Sequence, residues 1–136
     1  MTGRAEPGFP TTIGTWRATA TLPTAVLFRM DSAGRLLWST YFDGASRGTS
    51  IALDPQGSVV IAGGAGANPP LSTTLGAFQT IYGGGSEDAF IARFSGDGSR
   101  LLWSTLLGGN QGDVCLGLAI DKQGNVAVCG VTASNN

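Results

Sequence analysis

The chain carries nearly the same sequence twice, and this repetition constrains its fold more than any other feature. Three segments recur in the same order: 9–16 (FPTTIGTW) as 71–78 (LSTTLGAF), 35–40 (RLLWST) as 100–105, and 51–57 (IALDPQG) as 118–124 (LAIDKQG). The offsets are 62, 65 and 67, so the two copies differ by only a few loop residues. A period of this length predicts a repeat architecture, in which one unit buries its apolar face only by stacking on neighbours.

Each copy is predicted to contain four strands, because apolar residues alternate between short turns. The turns share an Asp or Ser that can bond its own backbone and a Gly three residues later, as at 31–34, 54–57, 95–98 and 121–124. We expect strands near 25–30, 35–42, 48–54 and 58–63 in copy one, and near 89–95, 100–107, 115–121 and 125–131 in copy two. Gly-, Pro- and Thr-rich connectors, 4–24 and 64–88, precede each group.

Four strands followed by a long connector, repeated once, are the layout of β-propeller blades. The predicted fold is therefore all-β, with two four-stranded antiparallel repeats. A β-sandwich is the alternative, although it does not explain why a whole unit recurs with its connector. The first repeat with its connector is assigned to 1–63 and the second to 64–136, as parts of one structural unit.

The second copy also resembles a known family. The segments 76–94 (GAFQTIYGGGSEDAFIARF), 97–109 (DGSRLLWSTLLGG) and 117–128 (GLAIDKQGNVAV) are similar to the bacterial β-propeller repeat called SBBP. Copy one departs from the pattern at 42–48 (FDGASRG), where the family has a Leu-Gly-Gly stretch and an acidic loop. The resemblance implies a propeller in a large exported or surface protein, with no established common activity.

Two blades cannot close a ring, since propellers contain about four to eight. The segments 2–3, 62–63 and 129–130 match as the end of a fourth strand, so the chain is expected to hold two whole repeats with an apolar flank on each side. We therefore expect self-association by head-to-tail blade stacking into a trimer or tetramer, giving six or eight blades. A fragment of a longer exported propeller and a subunit of an open fibre are the alternatives.

Composition excludes several classes of partner and chemistry. The absence of His removes Ser-His-Asp and Cys-His systems and His-ligated zinc. A net charge of −1 without a basic cluster argues against nucleic acid, and no apolar run is long enough for membrane insertion. No signal peptide is recognisable at the N-terminus, which fits a cytosolic chain, a processed chain or a piece of a longer one. We favour the last two and expect an extracellular or cell-surface location.

Five side chains are candidates for ligand binding. Trp16 and Phe78 occupy matching connector positions and could form an aromatic platform for a sugar ring, or fix the connector to the blade. Glu87, Asp88 and Asp113 lie in loops that could share one rim and, repeated around a ring, bind Ca²⁺. A solvated rim is the competing interpretation, because no DxDxDG loop is present. No cofactor and no metal site are predicted.

Cys115 and Cys129 occur only in the second copy, where the first has Gly48 and Ala62. Both fall on neighbouring antiparallel strands, so the register decides whether they meet disulfide geometry. A disulfide and two buried free thiols are equally compatible with the sequence.

Taken together, these patterns predict a non-catalytic structural or interaction module that forms a propeller. A lectin-like carbohydrate-binding propeller is the alternative function. An enzyme ranks third, because the polar positions are explained by turns and His is absent.

Overall fold

The computed structural model describes residues 1–136 and shows an all-β chain. Its nine strands are β1 (Thr2–Ala5), β2 (Thr24–Met30), β3 (Leu36–Phe42), β4 (Ala45–Leu53), β5 (Val59–Ala65), β6 (Asp88–Phe94), β7 (Leu101–Leu107), β8 (Asp113–Ile120) and β9 (Val126–Thr132). The all-β prediction is confirmed. The chain has no helix that is long and apolar enough to cross a membrane.

The hairpin turns form as their sequences predict. Asp54 accepts hydrogen bonds from the backbone N–H groups of Gln56 and Ser58 at 2.8 Å, and Asp121 repeats the arrangement in the second copy. Gly57 closes the turn with a φ of +82°, a conformation that favours glycine. Each turn thereby fixes the register of the hairpin that it joins.

The strands form three sheets, and this grouping corrects the prediction of two four-stranded repeats. The first sheet has the order β1-β2-β3, the second β4-β5-β6-β7, and the third β8-β9. The second hairpin of copy one therefore pairs with the first hairpin of copy two. The boundary predicted between residues 63 and 64 falls inside β5, a central strand of the second sheet.

The connectors explain why each copy of the repeat does not form its own sheet. In the first connector, Thr12 donates its N–H to the Ser39 carbonyl at 3.1 Å, and Tyr41 donates its N–H to the Arg17 carbonyl at 3.0 Å. The free edge of β3 is thus occupied by the connector, so β4 cannot pair there. The second connector covers β7 in the same way, through Thr74 and Gln79.

The sheets stack face to face around a core that lies mainly between the first two. Phe42 from the first sheet packs edge-on against Phe90 and Phe94 of the second, with ring centroids 5.6 and 5.1 Å apart. A smaller cluster around Ala62, Ala89 and Cys115 lies between the second and third sheets. Because β5 is central in its own sheet and covered on both faces, all of its residues are buried.

Trp38 of the first sheet packs against the turn between β6 and β7. Its indole N–H donates to the Gly96 carbonyl at 2.9 Å, and its ring lies where a side chain at Gly98 would be. A Cβ at position 98 would be 2.6 Å from the Trp38 ring, closer than van der Waals contact permits.

An ion pair between Arg93 and Asp54 joins β6 to the β4–β5 turn. The Asp54 side chain is fully buried, and the guanidinium is largely so. Burial by itself would raise the pKa of Asp54, but the bonds from Arg93 and the backbone N–H groups of Ser58 and Gln56 outweigh it and lower the pKa.

We expect Gly98→Ala to destabilise the fold more than Gly57→Ala. Both positions have positive φ, which costs about 1–2 kcal/mol for a residue with a Cβ. Only position 98 adds a clash with Trp38, and overpacking of this kind costs about 1–3 kcal/mol more. Urea unfolding at equal protein concentration measures the difference, and equal losses would show that the Trp38 contact does not constrain position 98.

Replacing Asp54 with Asn should cost about 2 kcal/mol at neutral pH, because a bond to a charged partner is lost. Since the folded-state pKa of Asp54 is lowered, its contribution is complete above the unfolded pKa and disappears as pH falls through the folded value. The stability gap between wild type and Asp54→Asn should therefore shrink between pH 7 and pH values of about 3 or less in urea titrations. Asp121→Asn is the control, because Asp121 occupies the matching turn but makes no ion pair with an arginine, and it should show a smaller gap.

Candidate functional site

Two surfaces of the stack are uncovered, one on the first sheet and one formed by β7 of the second sheet together with β9 of the third. We call the first the N-terminal face, defined by Phe28, Met30 and the β2–β3 turn at 31–34. These β2 residues point away from the second sheet, since Ala25 and Leu27 are the residues that face the core. The second is the C-terminal face, defined by Phe78, Trp103, Leu107 and strand β9. Phe78, Trp103 and Leu107 have equivalents at the matching repeat positions, Trp16, Trp38 and Phe42, and these contact the second sheet.

The connector aromatics show the difference between a covered and an uncovered position. The Trp16 ring packs edge-on against Phe94 with centroids 6.5 Å apart, and the backbone N–H of Trp16 donates to the Gly98 carbonyl at 2.8 Å. Its equivalent Phe78 has no such sheet to pack on and is 81% exposed, whereas Trp16 is 37% exposed. Trp16 thus packs its connector against the second sheet.

The strand residues of the C-terminal face follow the same rule. Phe42 is fully buried against Phe90 and Phe94, while its equivalent Leu107 is 40% exposed. Trp38 is buried on Gly98, whereas Trp103 is only partly buried. Identical or similar side chains therefore differ in burial because strands of a neighbouring sheet cover β3 but not β7.

A cavity of about 580 Å³ lies in the C-terminal face. Its lining includes Phe78, Ala89, Leu107, Val128 and Cys129. Three of the matching positions in the first half of the chain, Ala25, Phe42 and Ile61, belong to the same buried core cluster as Phe90 and Phe94. The cavity thus has the size and apolar lining to receive side chains from another sheet.

The three predicted acidic residues lie close together but are engaged with the protein itself. Glu87 pairs with Arg47 at 2.7 Å, and Asp88 is buried and accepts hydrogen bonds from Gln79 and the Gly83 N–H. Asp113 is also buried, and its N–H donates to the Glu87 carbonyl at 2.7 Å.

Hydrogen bonds to Asp113 from Thr132, Ser134 and the Gly109 N–H outweigh the effect of burial and lower its pKa. Burial, followed by the negative charges of Asp88, Glu87 and Asp113, raises the pKa of the Tyr82 hydroxyl. No group of three or more His, Cys, Asp or Glu side chains is placed to hold a metal ion. Ligand binding by the acidic residues stays a prediction, as does sugar binding by Trp16 and Phe78, which lie in different surroundings.

Cys115 and Cys129 are free thiols, the first buried and the second exposed. In the β8–β9 ladder Cys115 lies opposite Gly130 and Cys129 opposite Gly117, with a bulge between the two pairs. Burial, and to a smaller extent the neighbouring Cys129, raises the pKa of Cys115. The disulfide therefore stays a prediction.

Sequence reasoning anticipated an apolar flank at each end but did not identify Met30, Trp103 and Leu107 as its residues. The repeat contains the information needed to find these residues. Each of them matches a residue of the other copy that is buried between two sheets of the structure. The grouping of the strands into three sheets was not predicted, because the sequence does not show that the connectors occupy the edges of β3 and β7.

Comparison with known proteins adds one family match. Residues 102–136 match the model of the SBBP family, described as a β-propeller repeat, and this segment runs from β7 through β9. A search of curated proteins found no match. The SBBP-type β-propeller repeat expected from the sequence is thereby confirmed for residues 102–136.

Proposed function

We propose that the chain is a non-catalytic structural and interaction module that builds a β-propeller by head-to-tail association with copies of itself. One observation carries the proposal: the C-terminal face leaves Trp103 and Leu107 partly exposed, and these occupy the repeat positions of Trp38 and Phe42, which are buried where the first sheet meets the second. A surface that is apolar, cavity-bearing and matched to an internal interface is suited to a partner with the same geometry.

The N-terminal face of a second copy has the features required of that partner. Its residues Met30 and Gly34 are the equivalents of Phe94 and Gly98, on which Trp16 and Trp38 pack. If the contacts between the first and second sheets recur between two copies, Phe78 packs on Met30 and Trp103 packs on Gly34 of the neighbouring copy. Nothing lies within 4 Å of a Cβ at Gly34, so this turn has room to receive the indole.

The free-energy gain expected from this contact is large enough to support association. Phe78 and Met30 are both substantially exposed, at 81% and 49%. Complete burial of a side chain of this size contributes about 1.5–3 kcal/mol. Several such residues on each face can offset a substantial part of the entropy lost on association.

The number of sheets limits which closed assemblies can form. Each copy would contribute the β4–β7 sheet and one further sheet completed at each junction, so three or four copies would give about six or eight blades. If the rotation between copies does not close, the same contact would generate an open fibre. The proposal includes an exported or surface location, and the resemblance to the SBBP family is its only support.

We expect Phe78→Asp to abolish self-association, because a carboxylate would be buried without a partner. Light scattering after size-exclusion chromatography, with reductant and at several concentrations, should show a trimer, tetramer or fibre for wild type and a monomer for Phe78→Asp.

Leu75→Asp is the matched control for this experiment. Leu75 lies in the same connector and is 107% exposed, and its equivalent Ile13 is 103% exposed even though a neighbouring sheet is present there. Position 75 therefore lies outside the expected contact, and Leu75→Asp should associate like wild type. A wild-type chain that stays monomeric at the highest concentration would overturn the proposed function.

A further inference from the structure

The first strand occupies a position that the last strand is built to fill. In the second sheet, Ala62, Gly63, Gly64 and Ala65 of β5 lie opposite Ile91, Phe90, Ala89 and Asp88. In the first sheet, Thr2, Gly3, Arg4 and Ala5 of β1 lie opposite the equivalent residues Leu27, Val26, Ala25 and Thr24. By its register with β8, the segment of β9 that matches Ala62–Ala65 is Cys129–Thr132. Strand β1 therefore holds the place on β2 that corresponds to the end of β9.

Strand β1 fills that place incompletely. All seven residues of β5 pair with β6, whereas β1 has only four residues and pairs with the first half of β2. Within residues 1–136, no strand pairs with the edge of β2 at Arg29 and Met30 that β1 leaves uncovered.

An apolar cavity lies beside the part of β2 that β1 does not cover. It has a volume of about 450 Å³, and its lining includes Met1, Phe28, Met30, Ile51 and Leu53. In the second sheet the strand continues at the equivalent point with Val59 and Val60, which are buried. The residues of β9 that match these two are Val126 and Ala127, small apolar side chains of the kind that this cavity can accept.

Strand β9 lacks a partner strand on one of its edges. It pairs only with β8, and its other edge is unpaired, whereas the equivalent edge of β5 is paired with β6. An unpaired strand edge presents a row of free N–H and C=O groups that can bond another strand.

We propose that β9 of one copy pairs with β2 of the next and displaces β1, which gives the four-stranded sheet β8-β9-β2-β3. This inference rests on the proposed head-to-tail association and specifies how its junction forms. The register transferred from β5 and β6 places Val126 opposite Met30, Ala127 opposite Arg29, and Thr132 opposite Thr24. The new sheet would have the strand order and length of the β4–β7 sheet.

Charge complementarity supports the same register. Within the second sheet Arg93 pairs with Asp54 in the β4–β5 turn. Their equivalents are Arg29, which has no carboxylate partner and donates to the Gly96 carbonyl, and Asp121 in the β8–β9 turn. Joining β9 to β2 brings this Arg29 and the Asp121 of the neighbouring copy into the arrangement of the buried pair.

A cysteine cross-link between two full-length chains tests the register. One chain carries Arg29→Cys and the other Ala127→Cys, both in a Cys115→Ala, Cys129→Ala background. Directly opposed strand positions meet disulfide geometry, so oxidation should link the two chains in high yield.

Ala119→Cys replaces Ala127→Cys in the control mixture. Ala119 lies opposite Ala127 on β8, so in the joined sheet it is two strands, or about 10 Å, from Arg29. This mixture should give little cross-linked product. Association without preferential linking of positions 29 and 127 would overturn the strand exchange and leave the proposed function intact. Absence of association in every chain would overturn both.

Loosening β1 in the full-length chain provides a second test. Met1 and Phe28 exchange hydrogen bonds at 2.7 and 3.0 Å, so in an antiparallel ladder Gly3, two residues further on, bonds with Val26. Gly3→Pro removes the N–H of this pair and should lower the dissociation constant for self-association by about tenfold, because β1 competes less well for β2.

Gly3→Ala is the matched variant for the loosening test. Nothing lies within 4 Å of a Cβ at position 3, so this substitution should leave the dissociation constant unchanged. Weaker or unaltered association of Gly3→Pro, measured by sedimentation or light scattering over a dilution series, would show that β1 does not compete with β9.

Discussion

The organisation of this chain depends on the hydrogen bonds between each connector and the outer strand that follows it. Residues Thr12 and Arg17 bond the edge of β3, and Thr74 and Gln79 bond the edge of β7. These edges are closed to further strands, while β5 keeps an open edge that β6 can pair with. Edge coverage by irregular segments also limits aggregation through β3 and β7.

Because of this constraint, the boundaries between the sheets lie two strands away from the boundaries between the sequence repeats. Two copies of the repeat consequently give one complete sheet and two incomplete ones, rather than two complete sheets. Because the first and third sheets are incomplete, they leave parts of the stack uncovered, and the first sheet contains the duplicated strand position. The proposed association and the proposed displacement of β1 therefore have a common origin. The internal contacts of Trp16, Trp38 and Phe42 serve as a template for the contacts expected between copies.

The polar chemistry of the chain is used mainly for structure. The carboxylates of Asp54 and Asp121 bond backbone N–H groups in turns, and those of Asp88 and Asp113 satisfy connector and loop groups. Glu87 is paired with Arg47. These polar groups hold turns and loops in place, which fits the structural module that we propose.

The sequence by itself determined the all-β class, the hairpin turns and the existence of apolar flanks. These features are local or periodic, so an Asp–x–x–Gly turn and an alternating strand can be identified without knowledge of neighbours. Only the tertiary structure decided which strands share a sheet, and hence that Phe78, Leu107 and Met30 are exposed while Trp16, Phe42 and Phe94 are packed. The reason is that β5 pairs with β6 because the connectors already occupy the edges of β3 and β7. These are contacts between residues far apart in the sequence, and the two repeats have equivalent residues whether or not such contacts form.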